Sequence, residues 1–163
     1  MKDACDKVFQ GVGRALIEES DTILLKVKNI KGFDGIDFED IEFHENPIAA
    51  KLLQKGDIVT AFIGEAMKLH SFSLFVGAEY KCTVDNNCGV FRPNVDRVIP
   101  HFLYYALQTI WVREQFVQLI GGGGVPFLGS ANAEKLWTVI PEDKRVQRDM
   151  VMEMERARKM PAA

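Results

Sequence analysis

The sequence predicts an α+β fold, in which a twisted, mainly antiparallel sheet packs against helices and a C-terminal connecting helix ends the chain. Three observations predict it. Short β-rich segments separated by turn residues occupy most of the chain before residue 95. Apolar residues at helical spacing then dominate the segment that begins at residue 100. The last part of the chain is a charged segment with a narrow apolar stripe, as in a docked helix.

The composition is that of one globular domain. The chain has 163 residues, of which 47% are hydrophobic and 26% are charged, and this length is enough to bury a core. No apolar run approaches the roughly 20 residues that a membrane-spanning helix needs. The amino terminus also lacks the basic and then apolar pattern of a secretion signal. We therefore expect a cytoplasmic protein without a membrane partner.

The predicted strands follow one another in the first half of the chain. TILLKVKNI alternates in the two-residue period of a half-buried strand. Further β-rich runs are bounded by glycine, asparagine or aspartate, and they read GDIVTAFIG, SFSLFV, YKCTV and CGVFRP. Pro93 ends the last run because proline cannot donate to an interior ladder. Together these runs indicate one antiparallel sheet.

The predicted helices follow. PHFLYYALQTIWVREQFVQLI reads as one long helix with Pro100 in its first turn, and Gly121 is placed to end it in a left-handed conformation. Beyond the glycines, Ser130 or Asn132 can cap a short helix, and WTVIP reads as a strand. Residues 142 to 160 form the charged final helix.

An apolar stripe runs along this final helix, formed by Val146, Met150, Met154 and Ala157. A narrow seam of this kind suits docking on the domain's own core, and it equally suits an external helix. Both alternatives stay open at the level of sequence.

Charge is distributed unevenly along the chain, whose net charge is −3. DFEDIEFHE, residues 37 to 45, carries carboxylates and no lysine or arginine, so we expect a solvated edge or loop there. Basic residues outnumber acidic ones only after residue 50, so contact with phosphates is expected from residues 51 to 135. Cys5, Cys82 and Cys88 form no C-x-x-C pair and are predicted to be reduced packing residues, with no metal site.

The four consecutive glycines that begin at Gly121 do not form a nucleotide-binding loop. Such a loop needs a lysine followed by Ser or Thr, and it lies between a strand and a helix. Here Val125, Pro126 and Phe127 follow a predicted helix. Two alternatives remain, a flexible connector and a loop whose bare backbone lets a ligand approach closely.

No catalytic centre is predicted. The sequence lacks the D/N-P-P-Y or D/N-P-P-F motif of amino-methyltransferases, the G-x-G-x-x-G fingerprint and a nuclease-like acidic cluster with lysine. His44, His70 and His101 are scattered without a nucleophile at suitable spacing. We expect no catalytic residue, no metal and no cofactor.

The order of these segments resembles the target recognition domain of the specificity subunit of type I restriction-modification enzymes. The matching segments are LLQKGDIVTAFIG, VDNNCGVFRPN, IPHFLYYALQT, IGGGGVPFLGSANAEKL, WTVIP and RVQRDMVMEMERA. The resemblance covers nearly all of residues 20 to 160. It implies a target recognition domain in residues 1–141 and a connecting or dimerisation helix in residues 142–163.

The resemblance also implies a function: sequence-specific DNA recognition without catalysis. In the family this module directs partner adenine methyltransferase subunits, which use S-adenosylmethionine, and a nuclease subunit. The expected partners are double-stranded DNA, methyltransferase subunits and a second copy of the chain. A usual member carries two recognition domains, whereas this chain carries one. The alternative is a small α/β protein- or ligand-binding domain unrelated to DNA.

On this resemblance, DNA contacts are expected from the glycine loop and the turns that precede it. The candidate DNA-binding residues are Lys68, His70, Ser71, Asn86, Asn87, Arg92, Gly122, Gly123, Ser130, Asn132 and Lys135. Asparagine can pair with adenine and arginine with guanine in a bidentate manner, although Asn-Asn is also ordinary turn chemistry. The candidate partner-binding residues are Val146, Gln147, Met150 and Met154.

Overall fold

The computed structural model describes residues 1–69, 71–121 and 124–160. The strands in these ranges are β1 (Cys5–Gln10), β2 (Leu16–Ile17), β3 (Thr22–Leu25), β4 (Glu42–His44), β5 (Ile58–Ala61), β6 (Phe72–Leu74), β7 (Lys81–Val84) and β8 (Cys88–Pro93). The helices are α1 (Pro100–Leu107), α2 (Ile110–Leu119), α3 (Gly129–Ala133) and α4 (Lys144–Lys159). Strands precede helices, and the predicted α+β class is confirmed.

The strands form two sheets rather than the single one expected. The first sheet has the order β1-β8-β5-β6 and is antiparallel throughout. The second has the order β2-β4-β3-β7, and its β3–β7 pair is parallel. The local alternation of apolar residues predicts strands well, but it does not say which strands pair. The separation into two sheets therefore depends on tertiary contacts.

The first sheet lies between the helices and the second sheet. Its alternating side chains reach two separate cores, as the two-residue period of a strand requires. The helix-facing core includes Val8, Ile58, Phe91, Leu103 and Phe116. The core between the two sheets includes Phe9, Val59, Val90, Ile23 and Val84. Cys5, Cys82 and Cys88 are free and buried in these cores, as predicted.

The predicted helix over residues 100 to 120 is wrong in one respect, because it is two helices. Gln108 ends α1, and Thr109 adopts an extended conformation with ψ of 153° before α2 begins. The Thr109 hydroxyl donates to the Ala106 carbonyl at 2.8 Å and so bonds back to the last turn of α1. α2 begins after this break, and Trp111 in its first turn is exposed.

The expectations for the segment after α2 also need correction. Gly121 does not adopt a left-handed conformation; α2 ends at an extended Ile120, and the positive φ of +69° occurs at Gly129. α3 begins at Gly129, so Ser130 and Asn132 lie within the helix instead of capping it. WTVIP forms no strand, and Val139 within it is exposed.

The final helix docks on the domain's own core, with a face that shares Met154 with the predicted stripe but is otherwise different. Gln147 and Val151 are buried on this face, and Met154 packs against the helix-facing core. Val146 and Met150 remain 44% and 40% exposed. The predicted stripe missed this face because a buried glutamine looks polar in sequence. No helix within the described ranges is long and apolar enough to cross a bilayer.

Candidate nucleic-acid interface

The glycine loop is held against the end of β5. Gly121 and Phe127 exchange two backbone hydrogen bonds, of 2.9 and 3.0 Å, which close the loop at its base. The Gly64 amide donates to the Pro126 carbonyl at 2.8 Å, and the Leu128 amide donates to the Phe62 carbonyl at 2.9 Å. The residues on both sides of Phe127 therefore anchor the loop to the end of β5 and to the turn that follows it. Gly122 and Gly123, two predicted DNA contacts, lie outside the described residues.

The turn between β7 and β8 continues the same edge. The amides of Phe62 and Ile63 both donate to the Asn87 carbonyl, at 2.8 and 3.2 Å. On the other side, the Gln10 side-chain amide donates to the Asn86 carbonyl. A row of backbone contacts therefore joins the end of β1, the β7–β8 turn, the end of β5 and the glycine loop. We define the loop edge as residues 10–14, 62–69, 85–87, 121 and 124–128.

Three predicted DNA contacts lie on the loop edge. Asn86 is exposed at the tip of the β7–β8 turn. The Asn87 side chain instead donates to the buried Asp85 carboxylate at 3.2 Å, which stabilises the turn. Lys68 is exposed and forms an ion pair with Glu65, one turn earlier in the same 3-10 segment. Of the three, only Asn86 has a side chain that makes no hydrogen bond or ion pair with the described residues. His70, a further predicted contact, lies outside those residues.

The predicted contacts of the α3 region lie beside the loop edge. Asn132 donates from its side-chain amide to the Leu119 carbonyl at 3.1 Å, which ties α3 to the end of α2. Lys135 donates to the Asn132 side-chain oxygen at 2.8 Å and is otherwise exposed. Ser130 is half-buried within α3. A hydrogen-bonded pair, Asn132 and Lys135, therefore flanks the glycine loop.

Arg92 and Ser71 are placed differently from the other candidates. The Arg92 guanidinium donates to both carboxylate oxygens of Asp57, at 2.9 and 2.7 Å, and to the Leu52 carbonyl at 2.7 Å. Its side chain is 15% exposed. The donors that would pair with guanine are therefore occupied within the fold. Ser71 accepts from the Thr60 hydroxyl at 2.6 Å through its carbonyl, on the side of β6.

The sequence does not single out two further polar side chains that lie on or beside the loop edge. Gln10 ends β1 and holds the Asn86 turn. Arg113 is an exposed cation of α2 without a side-chain partner among the described residues. With Lys68, it lines a groove of about 340 Å³ whose other walls are largely apolar, including Met67 and Phe116. No local motif marks these residues, because their positions depend on pairing between distant segments.

The acidic segment expected to be a solvated edge or loop is instead partly a strand. Glu42–His44 forms β4, between β2 and β3 in the second sheet. Lysines of the preceding segment compensate its charge in the pairs Lys26–Glu42, Lys28–Asp40 and Lys31–Asp37. The hydrogen bond from Lys28 lowers the pKa of Asp40. Three carboxylates of this segment are thus paired with lysines in or near the second sheet.

The chain matches no protein-family model and no curated protein. The solved structures to which it is similar include the three that follow. The HsdS subunit from Thermoanaerobacter tengcongensis aligns with a TM-score of 0.67 and 15% identity, over 96% of this chain and 41% of that one. A chain from a study of complex assembly and conformational transition of the type I R-M system aligns with a TM-score of 0.61 and 14% identity, over 96% and 41%.

The third structure is the type I restriction-modification system S subunit from M. genitalium, with a TM-score of 0.59 and 13% identity, over 91% of this chain and 35% of that one. The chain thus spans about two fifths or less of the length of each neighbour. At these identities the likeness establishes the fold, and it confirms the resemblance seen in the sequence. This chain has the fold of one part of a type I restriction-modification S subunit.

Proposed function

We propose that this chain is a sequence-specific DNA recognition module of a type I restriction-modification system, either a specificity subunit or half of one. The observation that carries the proposal is the shared fold over 96% of the chain, at a TM-score of 0.67. The segment order in the sequence supports the same family independently of the coordinates. The module acts in the cytoplasm, without a cofactor and without catalysis of its own.

The loop edge is the surface that we assign to DNA. It collects turns and a glycine loop from separate parts of the chain, and binding residues are often carried on loops that a rigid scaffold positions. Asn86 and Lys68 supply exposed donors on it, and Lys135 lies beside it. Asn86 can read an adenine edge, whereas the two lysines suit phosphates. Arg92 is left out of this surface because Asp57 occupies its guanidinium.

The exposed strip of α4 is the surface that we assign to a protein partner. Val146, Met150 and Ala157 lie beside the docked face, in the stripe noted in the sequence, and are exposed. Such a strip fits a second helix, from a methyltransferase subunit or from another copy of the chain. Gln147 does not belong to this strip, since it is fully buried.

The proposal is tested by reconstitution with an adenine methyltransferase subunit of a type I restriction-modification system. The purified pair is incubated with a pool of random-sequence DNA duplexes, and the retained duplexes are sequenced. We expect a short motif to be enriched, and labelled S-adenosylmethionine to methylate that motif only when both proteins are present. Methyl transfer by the chain alone, or an unenriched pool in the presence of the partner, would contradict the proposal.

The Asn86→Ala variant tests whether this residue reads one base of the motif. Loss of a bidentate base contact costs about 1 to 3 kcal/mol and relaxes the preference at one position of the motif. Gln54→Ala is the matched control, because Gln54 is an exposed side-chain amide in the turn before β5, at the opposite end of that strand from the loop edge. A motif that is unchanged in the Asn86 variant removes this residue from base reading, while the enriched motif itself still supports the module.

A further inference from the structure

Two lysines that are distant in sequence lie together at the β1 end of the loop edge. The Lys51 ammonium donates to the Gly11 carbonyl at 2.8 Å. The Lys7 ammonium lies 3.4 Å from the carbonyl of Ala50, the residue that precedes Lys51. The Lys51 amine therefore reaches the stretch where β1 ends and where Gln10 donates to the Asn86 carbonyl, and the Lys7 amine lies beside the residue that precedes Lys51.

The positive charge of these lysines is not balanced locally. Neither lysine forms an ion pair with any described residue, although Asp6 is adjacent to Lys7 in sequence. The carboxylate of Asp85, in the β7–β8 turn, is buried and lies 3.8 Å from the exposed Arg14 guanidinium. Partial burial, and secondarily the charge of Lys7, lower the pKa of Lys51. Two like charges, those of Lys7 and Lys51, are thus held near each other, whereas the charge of Arg14 is offset by Asp85.

Other lysines of the amino-terminal half differ in this respect. Lys26, Lys28 and Lys31 pair with Glu42, Asp40 and Asp37, in or just before β4. The charge partition along the sequence therefore describes the surface poorly, since these three acids are paired with lysines whereas Lys7 and Lys51 have no such partner among the described residues. A ligand that matches two uncompensated cations beside an exposed amide is a polyanion with regularly spaced charges.

We propose that Lys7 and Lys51 form a phosphate-binding cluster that anchors the backbone of duplex DNA at the β1 end of the loop edge. The anchor fixes the register in which Asn86 meets the bases, since phosphate contacts position a protein while base contacts specify sequence. This inference rests on the proposed function. It adds Lys7, an amino-terminal residue, to an interface that the sequence places only after residue 50.

The test is the salt dependence of DNA binding by the complex with the methyltransferase subunit. Each phosphate contact that is lost reduces the slope of log affinity against log salt by about 0.9. The Lys7→Gln and Lys51→Gln double variant should therefore lose about two units of slope and keep the same enriched motif. The matched control is the Lys28→Gln and Lys81→Gln double variant, which removes the same charge from lysines paired with Asp40 and Asp21.

The possible results distinguish a failure of the phosphate cluster from a failure of the proposed function. An unchanged slope, or equal losses in both double variants, overturns the phosphate cluster even when the wild type enriches a motif. A wild type that enriches no motif overturns the proposed function and the cluster together. Lys51 also bonds within the fold, so thermal unfolding is measured for each variant. If the double variant unfolds, the exposed Lys7→Gln single variant decides, with an expected loss of about one unit of slope.

Discussion

Arg92 and Asp57 form a two-bond ion pair across neighbouring strands of the first sheet. Arg92 lies in β8, and Asp57 immediately precedes β5. Both carboxylate oxygens accept from the guanidinium, at 2.9 and 2.7 Å, and the Asp57 side chain is 1% exposed. Asp57 also accepts from the Gln54 amide at 2.8 Å. Arg92 thus holds together β8, the start of β5 and the turn before it.

We predict that Arg92→Ala destabilises the fold and that its effect on DNA binding follows from this loss. Removing one partner of a buried ion pair costs about 3 to 5 kcal/mol, because it leaves an uncompensated buried charge. Urea denaturation measures the free energy of unfolding. Lys68→Ala is the control, since it breaks an exposed pair with Glu65 worth about 0 to 1 kcal/mol. Equal stability of the two variants would contradict the structural role of Arg92.

Gln147 is predicted to be the residue that fixes α4 on the domain. Its side-chain oxygen accepts from the Ile99 amide at 2.8 Å, and its nitrogen donates to the carbonyls of Pro141 and Arg97 at 2.7 and 3.1 Å. Gln147→Leu leaves these buried backbone groups unpaired, at roughly 1 to 3 kcal/mol each. We expect lower stability and faster proteolysis within α4. The exposed Arg148→Gln variant is the control, and a Gln147→Leu protein as stable as that control would refute the prediction.

Met150 and Met154 should respond differently to the same substitution. Met154 packs against the core, so Met154→Glu places a carboxylate in an apolar contact and lowers the melting temperature. Met150 is 40% exposed, so Met150→Glu should leave the melting temperature nearly unchanged and weaken assembly through the exposed strip. Calorimetry and sedimentation velocity with the methyltransferase subunit measure the two effects. Unchanged assembly of the Met150 variant would exclude the strip as an interface.

Gly129→Ala is predicted to disturb the glycine loop. Gly129 has φ of +69°, and a Cβ atom there would lie 2.8 Å from the Phe127 ring, which closes the loop. Both the backbone strain and the contact are unfavourable, so we expect a loss of about 1 to 3 kcal/mol. Gly13→Ala is the control, because nothing lies within 4 Å of the equivalent position there. If the two variants are equally stable, Gly129 is not required for this geometry.

Stability should fall as the solution becomes alkaline. Burial raises the pKa of the Cys5 thiol to about 12 and that of Cys82 to about 11, from an ordinary value near 9. Above pH 9 the unfolded chain loses these protons while the folded chain retains them, so the folded state is increasingly disfavoured up to about pH 12. Urea denaturation across this range should show the decline, with a shallower slope in Cys5→Ala. An identical slope would contradict the assignment.

The same burial predicts that the thiols are unreactive in the native state. A thiol-specific reagent at pH 8 should modify Cys5, Cys82 and Cys88 only after unfolding, since the thiolate is the reactive form. Rapid modification of the native protein would show that the cores open readily.

Local patterns predicted several elements because their signals lie within a few residues. The alternation in TILLKVKNI predicted β3, but Asn29, whose side chain accepts from the Lys26 amide, bends the chain into a 3-10 turn after it. The charged helix at the end was predicted within two residues, since Asp143 caps it locally. The break at Thr109 was missed because apolar periodicity continues across it.

The candidate site was predicted only in part, because it consists of segments that meet through long-range pairing. The glycine loop and the Asn86 turn were identified from composition alone. Gln10 was missed, since its partner turn lies 76 residues away in sequence. No residue near Arg92 in sequence indicates that its guanidinium is paired, because its partner Asp57 is 35 residues away.

The sequence by itself determined the α+β class, because side-chain periodicity and turn residues act locally, and the order of its motifs resembles that of one fold family. The tertiary structure decided the division into two sheets, the face by which α4 docks and the residues whose polar groups remain free. Those outcomes depend on which buried donors and acceptors find partners. Gln147 is the clearest case: it is polar in sequence, yet it is buried because backbone groups of Arg97, Ile99 and Pro141 need its amide.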